Sequence, residues 1–265
     1  MSLKIFPKKK YTAAEIVCDL SIINKKDLAN IKKALSEFGM VYFRNQNLTS
    51  NQYLSFAKKM GKPTLYPRLK GLNKKFPEIT VVQRKKKDKG PSFGEQFHTD
   101  SSYTKKPPKF TMLFSKLVPR KGLANTEFSS QYLAYENLPG KFKKQIDKLS
   151  ATFSSRGPIA ITTIERVKEK GKLKKELKAN HKIVKKIGNK KSIYFSAGHF
   201  VSFTKSKNKK LKELEYFLKK HQIKKKFQFS LEWEKNQIAI WDNRSMLHQA
   251  TPFNGNRIMH RITIS

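Results

Sequence analysis

The chain has 265 residues, 37% of them hydrophobic, and its 58 lysine and arginine residues outnumber 19 acidic ones, giving a formal net charge of +39. This length and apolar content exclude a disordered chain and predict a single domain over residues 1–265 with a sizeable core. The lone cysteine, Cys18, excludes an internal disulfide and a cysteine-based zinc or iron–sulfur site. No apolar stretch approaches the ~20 residues that span a bilayer, and the basic N-terminus lacks an export signal. We therefore expect a cytoplasmic protein with no membrane association.

The positive charge is spread along the whole chain and is not gathered on one helix or arm. Lysine runs occur at 8–10, 25–26, 85–87, 105–106, 174–175, 185–186, 209–210 and 224–226. Arginine, which binds bases and phosphates in bidentate geometry, is scarce by comparison. This pattern favours a lysine-rich surface over a nucleic-acid interface, and its positive field favours anionic small molecules as ligands.

The first predicted elements are an αβ unit and a second helix. Apolar residues at helical spacing predict a helix over 24–39 that stops at Gly39, followed by a strand over 40–43. Ser50 is a good N-cap for a second helix that ends near Met60.

Strands dominate the rest of the chain. They are predicted at 79–82, 110–117, 227–233, 238–241 and 258–264, and further helices at 129–137, 141–149 and 208–221. The segment 164–190 is rich in lysine and glutamate, which indicates an exposed helical or mobile excursion and a candidate lid. The order of elements predicts a mainly β sandwich or barrel with flanking helices.

One histidine and one aspartate stand two residues apart, at His98 and Asp100, so that they can project from one face of a strand. A second histidine, His248, follows a buried strand much later in the chain. Two imidazoles and one carboxylate form the 2-His-1-carboxylate triad, which holds iron(II) and leaves coordination positions open. An arginine on the final strand, at Arg257 or Arg261, suits the clamping of a carboxylate co-substrate.

These blocks resemble the taurine dioxygenase-like (TauD/TfdA) family of iron(II)- and 2-oxoglutarate-dependent dioxygenases over most of the chain. The blocks that carry the resemblance are 41–46, 97–100 with 107–108, 241–248 and 257–261. The resemblance implies a double-stranded β-helix core of the jelly-roll, cupin-like type. It also implies iron(II) as the cofactor, with 2-oxoglutarate and dioxygen as co-substrates.

Site residues follow from the resemblance position by position. The implied iron ligands are His98, Asp100 and His248, and the residues implied to bind 2-oxoglutarate are Thr126, Arg257 and Arg261. The segment 122–126 lacks the double glycine and acid that the family commonly shows near this threonine. The implied substrate-pocket residues are Tyr66, Glu95, Tyr103, His199 and Arg261.

The resemblance does not extend to the residues that grip taurine. Taurine dioxygenase uses a histidine and an asparagine, whereas this chain has Tyr66 at one position and Gly94 or its neighbour Glu95 at the other. Taurine therefore cannot be assumed as the substrate, and Glu95 could recognise an amine.

The implied reaction hydroxylates a small anionic or zwitterionic substrate and converts 2-oxoglutarate into succinate and carbon dioxide. A taurine-like alkylsulfonate is the leading candidate substrate. Two alternatives stay open: an oxygenase acting on a carboxylate, an amino-acid derivative or a nucleic acid, and a non-catalytic protein that binds polyanions. The sequence also leaves a homo-oligomer open.

The remaining histidines are expected to lie outside the metal site. His181 and His221 stand among lysines and are expected at the surface, whereas His260 on the final strand is expected to pack. Asp242 and Arg244 are expected to orient the loop that bears the second histidine ligand.

Overall fold

A computed structural model describes residues 3–66, 69–160, 175–204 and 210–265. In chain order the strands are β1 (Lys4–Lys9), β2 (Ala13–Val17), β3 (Met40–Phe43), β4 (Pro63–Thr64), β5 (Thr80–Arg84), β6 (Phe110–Leu117), β7 (Thr126–Ser130), β8 (Ser150–Ser154), β9 (Lys178–Lys182), β10 (Val184–Ile187), β11 (Lys190–Ile193), β12 (Phe200–Phe203), β13 (Gln228–Leu231), β14 (Ile238–Asp242), β15 (Met246–Ala250) and β16 (Arg257–Ile264). The helices are α1 (Lys25–Phe38), α2 (Ser50–Met60), α3 (Gln131–Glu136), α4 (Gly140–Ile146) and α5 (Lys210–His221).

The largest sheet of the described residues has the strand order β1-β2-β3-β14-β6-β16-β4, and β5 also pairs with β16. Adjacent strands in this sheet are antiparallel, except that β2 and β3 pair in parallel. A smaller sheet, β13-β7-β15, packs against it, and an aromatic and aliphatic cluster fills the space between the two. Phe128 of the small sheet contacts Trp241 of the large one, with ring centroids 5.3 Å apart. The prediction of mainly β structure with flanking helices is confirmed.

Helices α1 and α2 cover the outer face of the large sheet, where their apolar residues join the largest core cluster. The side chain of Asn24 caps α1 by accepting the Asp27 N–H at 2.8 Å. The N-cap of α2 is Thr49, one residue before the predicted Ser50, because Thr49 and Gln52 form a reciprocal capping box. Both helices otherwise match the predicted ranges.

A second core lies under α3, α4 and α5, which pack on β8, β11 and β12. Within it, Phe142 and Phe217 stack with ring centroids 4.2 Å apart. No helix among the described ranges is both long and apolar enough to cross a membrane.

Several short strands were not predicted. The strands β1 and β2 precede the first predicted helix, β7 overlaps only the first two residues of the helix predicted over 129–137, and β8 begins just after the helix predicted over 141–149. The described part of the lysine-rich excursion, residues 175–190, holds β9, β10 and the start of β11, so the helical alternative predicted for it is wrong there. These strands are only four to six residues long, too short for period-2 alternation to identify them. Residues 161–174 lie outside the described ranges, so the proposed lid is not described there.

The turn from α1 into β3 depends on Gly39. Its φ is +80°, and an added Cβ would lie 2.6 Å from the Sδ atom of buried Met246. An alanine there would meet both backbone strain and overpacking.

We expect Gly39→Ala to lower the free energy of unfolding by roughly 1–3 kcal/mol, measured by chemical denaturation. Two matched substitutions separate the causes. Gly188 has φ +60° and open space where a Cβ would lie. Gly188→Ala should therefore carry only the backbone strain and lower the free energy of unfolding by about 1 kcal/mol. Gly140→Ala, at the start of α4 with nothing near its Cβ, should be neutral or slightly stabilising. Equal losses at Gly39 and Gly188 would contradict the packing argument.

Candidate active site

The two predicted histidine ligands are joined directly through their backbones. The His98 N–H donates to the His248 carbonyl at 3.0 Å, and the His248 N–H donates to the His98 carbonyl at 2.9 Å. This isolated antiparallel bridge brings the two imidazole rings to a centroid distance of 4.3 Å. His248 lies within β15, which pairs with β7, so the expectation that it lies in a loop is wrong.

Asp100 reaches the histidines by a turn and not along a strand. His98 forms only the single bridge, and the chain then turns at residues 100–103, with Ser101 at φ +47°. The expectation that His98 and Asp100 share one strand face is therefore wrong, although the two side chains do converge. The Nε2 atoms of His98 and His248 each lie 3.9 Å from Asp100 Oδ1.

These three side chains form a buried group of potential metal ligands, with one donor atom from each within 4.8 Å of the others. The Nδ1 atom of His98 lies 2.6 Å from the Gln96 carbonyl. Since a carbonyl only accepts, Nδ1 carries the proton and the lone pair of Nε2 faces the other two ligands. The tautomer of His98 is thus fixed as a metal ligand requires.

The charge states also suit a metal. Burial lowers the pKa of His98, and burial together with the neighbouring His98 ring holds the pKa of His248 well below its usual value. Burial acts to raise the pKa of Asp100, but Arg261 and the two imidazoles outweigh it and hold that pKa well below its usual range. Two neutral imidazoles and one carboxylate are therefore available to a divalent cation.

A cavity lies beside these ligands. Its lining residues are Val82, Phe93, Gly94, His98, Asp100, Leu113, Thr126, Trp241, His248, Ala250, Arg257, Met259 and Arg261. The structure thus gathers the three predicted ligands and all three residues predicted to bind 2-oxoglutarate around one space. Arg257, Met259 and Arg261 alternate along β16 and so share one face of the sheet.

Arg257 is buried, and no described acidic side chain pairs with it. Its guanidinium lies over the rings of Trp233 and Phe253, 5.8 Å from each centroid. Within the described ranges it forms no ion pair, and its Nε atom has no hydrogen-bond partner. Burial lowers its pKa to about 10, which leaves it charged at neutral pH. A buried guanidinium of this kind has the planar donor set that a carboxylate fills.

Arg261 lies closer to the ligands. Its Nη2 atom is 2.8 Å from Asp100 Oδ1, and its guanidinium lies 4.6 Å from the centroid of the Tyr66 ring. Its Nη1 atom has no hydrogen-bond partner among the described residues. Tyr66 in turn meets Phe93 edge to face, so this wall combines a cation with aromatic surface.

The other predicted pocket residues occupy two places. Gly94 lines the cavity, whereas the carboxylate of its neighbour Glu95 accepts the Ser92 N–H within the preceding loop. His199 and Tyr103 are buried behind His98, outside the cavity wall, with ring centroids 5.0 Å apart. Tyr66 does not line the cavity either, but it contacts two residues that do, Arg261 and Phe93.

Two residues that support the site were missed in the sequence. Thr111 donates to Asp100 Oδ2 at 2.6 Å, and Asn243 donates to Thr111 Oγ1 at 2.8 Å. Only the register of β14 against β6 reveals these contacts, because that register places Trp241 opposite Thr111.

The remaining predicted residues have structural roles. Asp242 Oδ1 accepts both the backbone N–H and the Nε–H of Arg244 at 2.9 Å, which fixes the turn between β14 and β15. The prediction of His221 at the surface is wrong, because its ring stacks on Phe217 and its Nε2 lies 2.8 Å from the Ala134 carbonyl. His181 is half-buried.

The sequence is similar to that of known dioxygenases over most of its length. The model of the taurine catabolism dioxygenase TauD, TfdA family matches residues 5–263. An alpha-ketoglutarate-dependent sulfate ester dioxygenase of Pseudomonas putida is 25% identical over 253 residues, covering 89% of this chain and 79% of that protein. An alkylsulfatase of Acinetobacter baylyi is 27% identical over 251 residues, covering 89% and 75% respectively.

The fold is similar to that of a solved structure. A crystal structure of a taurine dioxygenase from Burkholderia xenovorans superposes with a TM-score of 0.82 at 23% identity, covering 100% of this chain and 89% of the other. The expectation of a jelly-roll core is thereby confirmed, as is that of iron(II) and 2-oxoglutarate as the family's cofactor and co-substrate. The chain belongs to the TauD/TfdA family of 2-oxoglutarate-dependent dioxygenases and is an oxidoreductase.

Proposed function

We propose that this enzyme hydroxylates a small organic sulfonate or sulfate ester at the carbon next to the sulfur-containing group. The observation that carries the proposal is the pairing of two features in one cavity. A buried set of three potential metal ligands, two neutral imidazoles and one carboxylate, lies beside two arginines, of which one has no acidic partner among the described residues.

The residues present fit iron(II). His98, Asp100 and His248 would hold the metal through Nε2, a carboxylate oxygen and Nε2. The lowered pKa values of all three favour two neutral imidazoles and one carboxylate, the charge states that such ligands need. When bound, iron(II) together with 2-oxoglutarate and dioxygen supplies the oxidation of an unactivated C–H bond, coupled to formation of succinate and carbon dioxide. The chain's own contribution is to bind, orient and desolvate the reactants.

We assign the binding of the distal 2-oxoglutarate carboxylate to Arg257 and Thr126. The two aromatic rings beside Arg257 keep water away from its guanidinium, which strengthens a charge-assisted hydrogen bond. Thr126 Oγ1 accepts the indole N–H of Trp233 at 2.9 Å. Because an indole can only donate, the Thr126 hydroxyl keeps its own proton for an anion in the cavity.

We assign the binding of the substrate's anionic group to Arg261. With iron(II) and the 2-oxoglutarate dianion bound, Asp100 and the two arginines leave one net positive charge in the cavity. This charge suits a monoanion such as a sulfonate or a sulfate ester, and the sulfate ester dioxygenase of P. putida supports that class. The apolar side chains of Phe93, Leu113 and Met259 would surround the carbon chain and exclude water.

The products follow from the position of the new hydroxyl group. A carbon that carries both a hydroxyl group and a sulfate ester or a sulfonate collapses to an aldehyde and releases sulfate or sulfite.

Glu95, which binds its own loop, does not favour an amine on the substrate. We place the enzyme in the cytoplasm because its lone cysteine, Cys18, is unpaired.

The ligand set is tested by His248→Ala. The variant should lose at least tenfold in affinity for Mn(II), a stand-in for iron(II), and should lose iron-dependent succinate formation. Metal affinity is measured on metal-free protein by the EPR signal of unbound Mn(II). The matched control is His260→Ala, on β16 with its side chain alternating away from the cavity-lining residues. Equal metal affinity in the two variants would remove His248 from the ligand set.

The co-substrate clamp is tested by Arg257→Ala. Loss of a charge-assisted carboxylate contact worth about 1.5–3 kcal/mol should raise the Kd for 2-oxoglutarate roughly 10- to 100-fold in Mn(II)-loaded protein. Arg257→Lys keeps the charge but not the planar fork, so we expect an intermediate Kd. An unchanged Kd in Arg257→Ala would show that the carboxylate binds elsewhere.

The substrate assignment is tested by Arg261→Met with a panel of alkyl sulfates, alkylsulfonates and alkylcarboxylates. Wild-type enzyme should release sulfate or sulfite from one of the first two classes. The variant should raise the substrate KM at least tenfold while changing the Kd for 2-oxoglutarate less than threefold. Turnover of the carboxylates alone would reject the organosulfur class and leave the reaction type intact.

A further inference from the structure

Asp100 holds its two carboxylate oxygens in different surroundings. Oδ1 faces the Nε2 atoms of His98 and His248 and the Arg261 guanidinium. Oδ2 faces away from them and accepts the hydroxyl proton of Thr111 at 2.6 Å. A carboxylate whose second oxygen is held in this way can offer a metal only one oxygen.

The direction of this hydrogen bond is fixed by a relay of buried groups. The Trp241 indole N–H, which can only donate, lies 3.1 Å from Asn243 Oδ1. This contact assigns the amide orientation, so Asn243 Nδ2 donates to Thr111 Oγ1 at 2.8 Å. The Thr111 hydroxyl already accepts from Asn243 and therefore sends its single proton to Asp100.

Rigid elements hold each member of the relay. Thr111 on β6 and Trp241 on β14 are cross-strand partners in the large sheet. Asn243 follows β14 directly, and its backbone N–H donates to the Lys109 carbonyl at 2.9 Å. Trp241, Asn243 and Thr111 are each at most 1% exposed, so water does not compete with these bonds.

We propose that Thr111 and Asn243 are positioning residues that keep Asp100 as a single-oxygen metal ligand. The inference rests on the proposed metal site. A 2-His-1-carboxylate site works with several coordination positions open, and a carboxylate free to rotate could turn its second oxygen toward the metal and occupy one of them. The relay prevents this rotation and thereby preserves the space that 2-oxoglutarate and dioxygen need.

The test compares Thr111→Val, which removes the hydroxyl group at nearly constant shape, with Thr111→Ser, which keeps it. Metal-free protein is titrated with Mn(II), and the Mn(II)-saturated protein is then titrated with 2-oxoglutarate. We expect the Kd for Mn(II) to rise 10- to 100-fold in Thr111→Val and less than threefold in Thr111→Ser. The Kd for 2-oxoglutarate should also rise at least threefold in Thr111→Val, because the freed Oδ2 competes for an open position.

Thr263→Val is the matched control. Thr263 on β16 is the cross-strand partner of Thr111 in the same sheet, is buried, and shares its hydroxyl with Thr64. Among the described residues its hydroxyl bonds Thr64 and none of the three ligands, so Thr263→Val should lower the melting temperature while leaving both Kd values within threefold.

Each outcome decides the matter. Equal Kd values in Thr111→Val and Thr111→Ser, or in Thr111→Val and Thr263→Val, would overturn the positioning role. If wild-type protein binds no Mn(II), the metal site itself fails and the inference fails with it. If Thr111→Val does not fold, Thr111→Ala takes its place in the same comparison with Thr111→Ser.

Discussion

The antiparallel bridge between His98 and His248 is the contact on which the site depends. Two backbone hydrogen bonds, at 3.0 and 2.9 Å, fasten the segment that carries His98 to the middle of β15. Because β15 pairs with β7, the position of His98 is fixed relative to the two packed sheets. Asp100 comes next in the chain and needs only a short turn to complete the set. A site fastened to a strand by backbone pairing positions its ligands more precisely than one carried by loops alone.

Buried charge sets the second constraint. Asp100 is stabilised as a carboxylate by Arg261, whereas Arg257 stays charged without an acidic partner among the described residues. An unpaired buried guanidinium lowers the stability of the empty protein, and an anion that pairs with it recovers that loss on binding. The same reasoning explains why Trp233 and Phe253 flank the Arg257 guanidinium, since aromatic faces attract a cation without supplying a counter-charge. The unpaired Arg257 guanidinium therefore favours binding of a carboxylate in the cavity that the three potential metal ligands also line.

The sequence predicts the ligands better than the elements that carry them. His98, Asp100 and His248 could be found because a metal site restricts residue type, but β15 shows little alternation, since four of its five residues are buried. The lysines around His221 suggested exposure, and only the packing of Phe217 and the bond to the Ala134 carbonyl reveal its burial. Thr111 and Asn243 carry no local signal, because their roles arise from strand register. Helices with caps and a clear apolar face, such as α1 and α2, were predicted nearly to the residue.

The large positive charge of the chain has little part in the cavity itself. Its described lining contains no lysine, although lysine runs occur throughout the sequence, and both cations that line it are arginines. A lysine ammonium is strongly hydrated and flexible, whereas guanidinium is more weakly hydrated and binds planar anions with fixed geometry. The outer lysines can raise the local concentration of anions near the protein, an effect that salt screens over about 8–10 Å. We therefore assign selection among those anions to Arg257 and Arg261, because both are buried in the cavity lining, where salt screens little and a guanidinium presents fixed donor geometry.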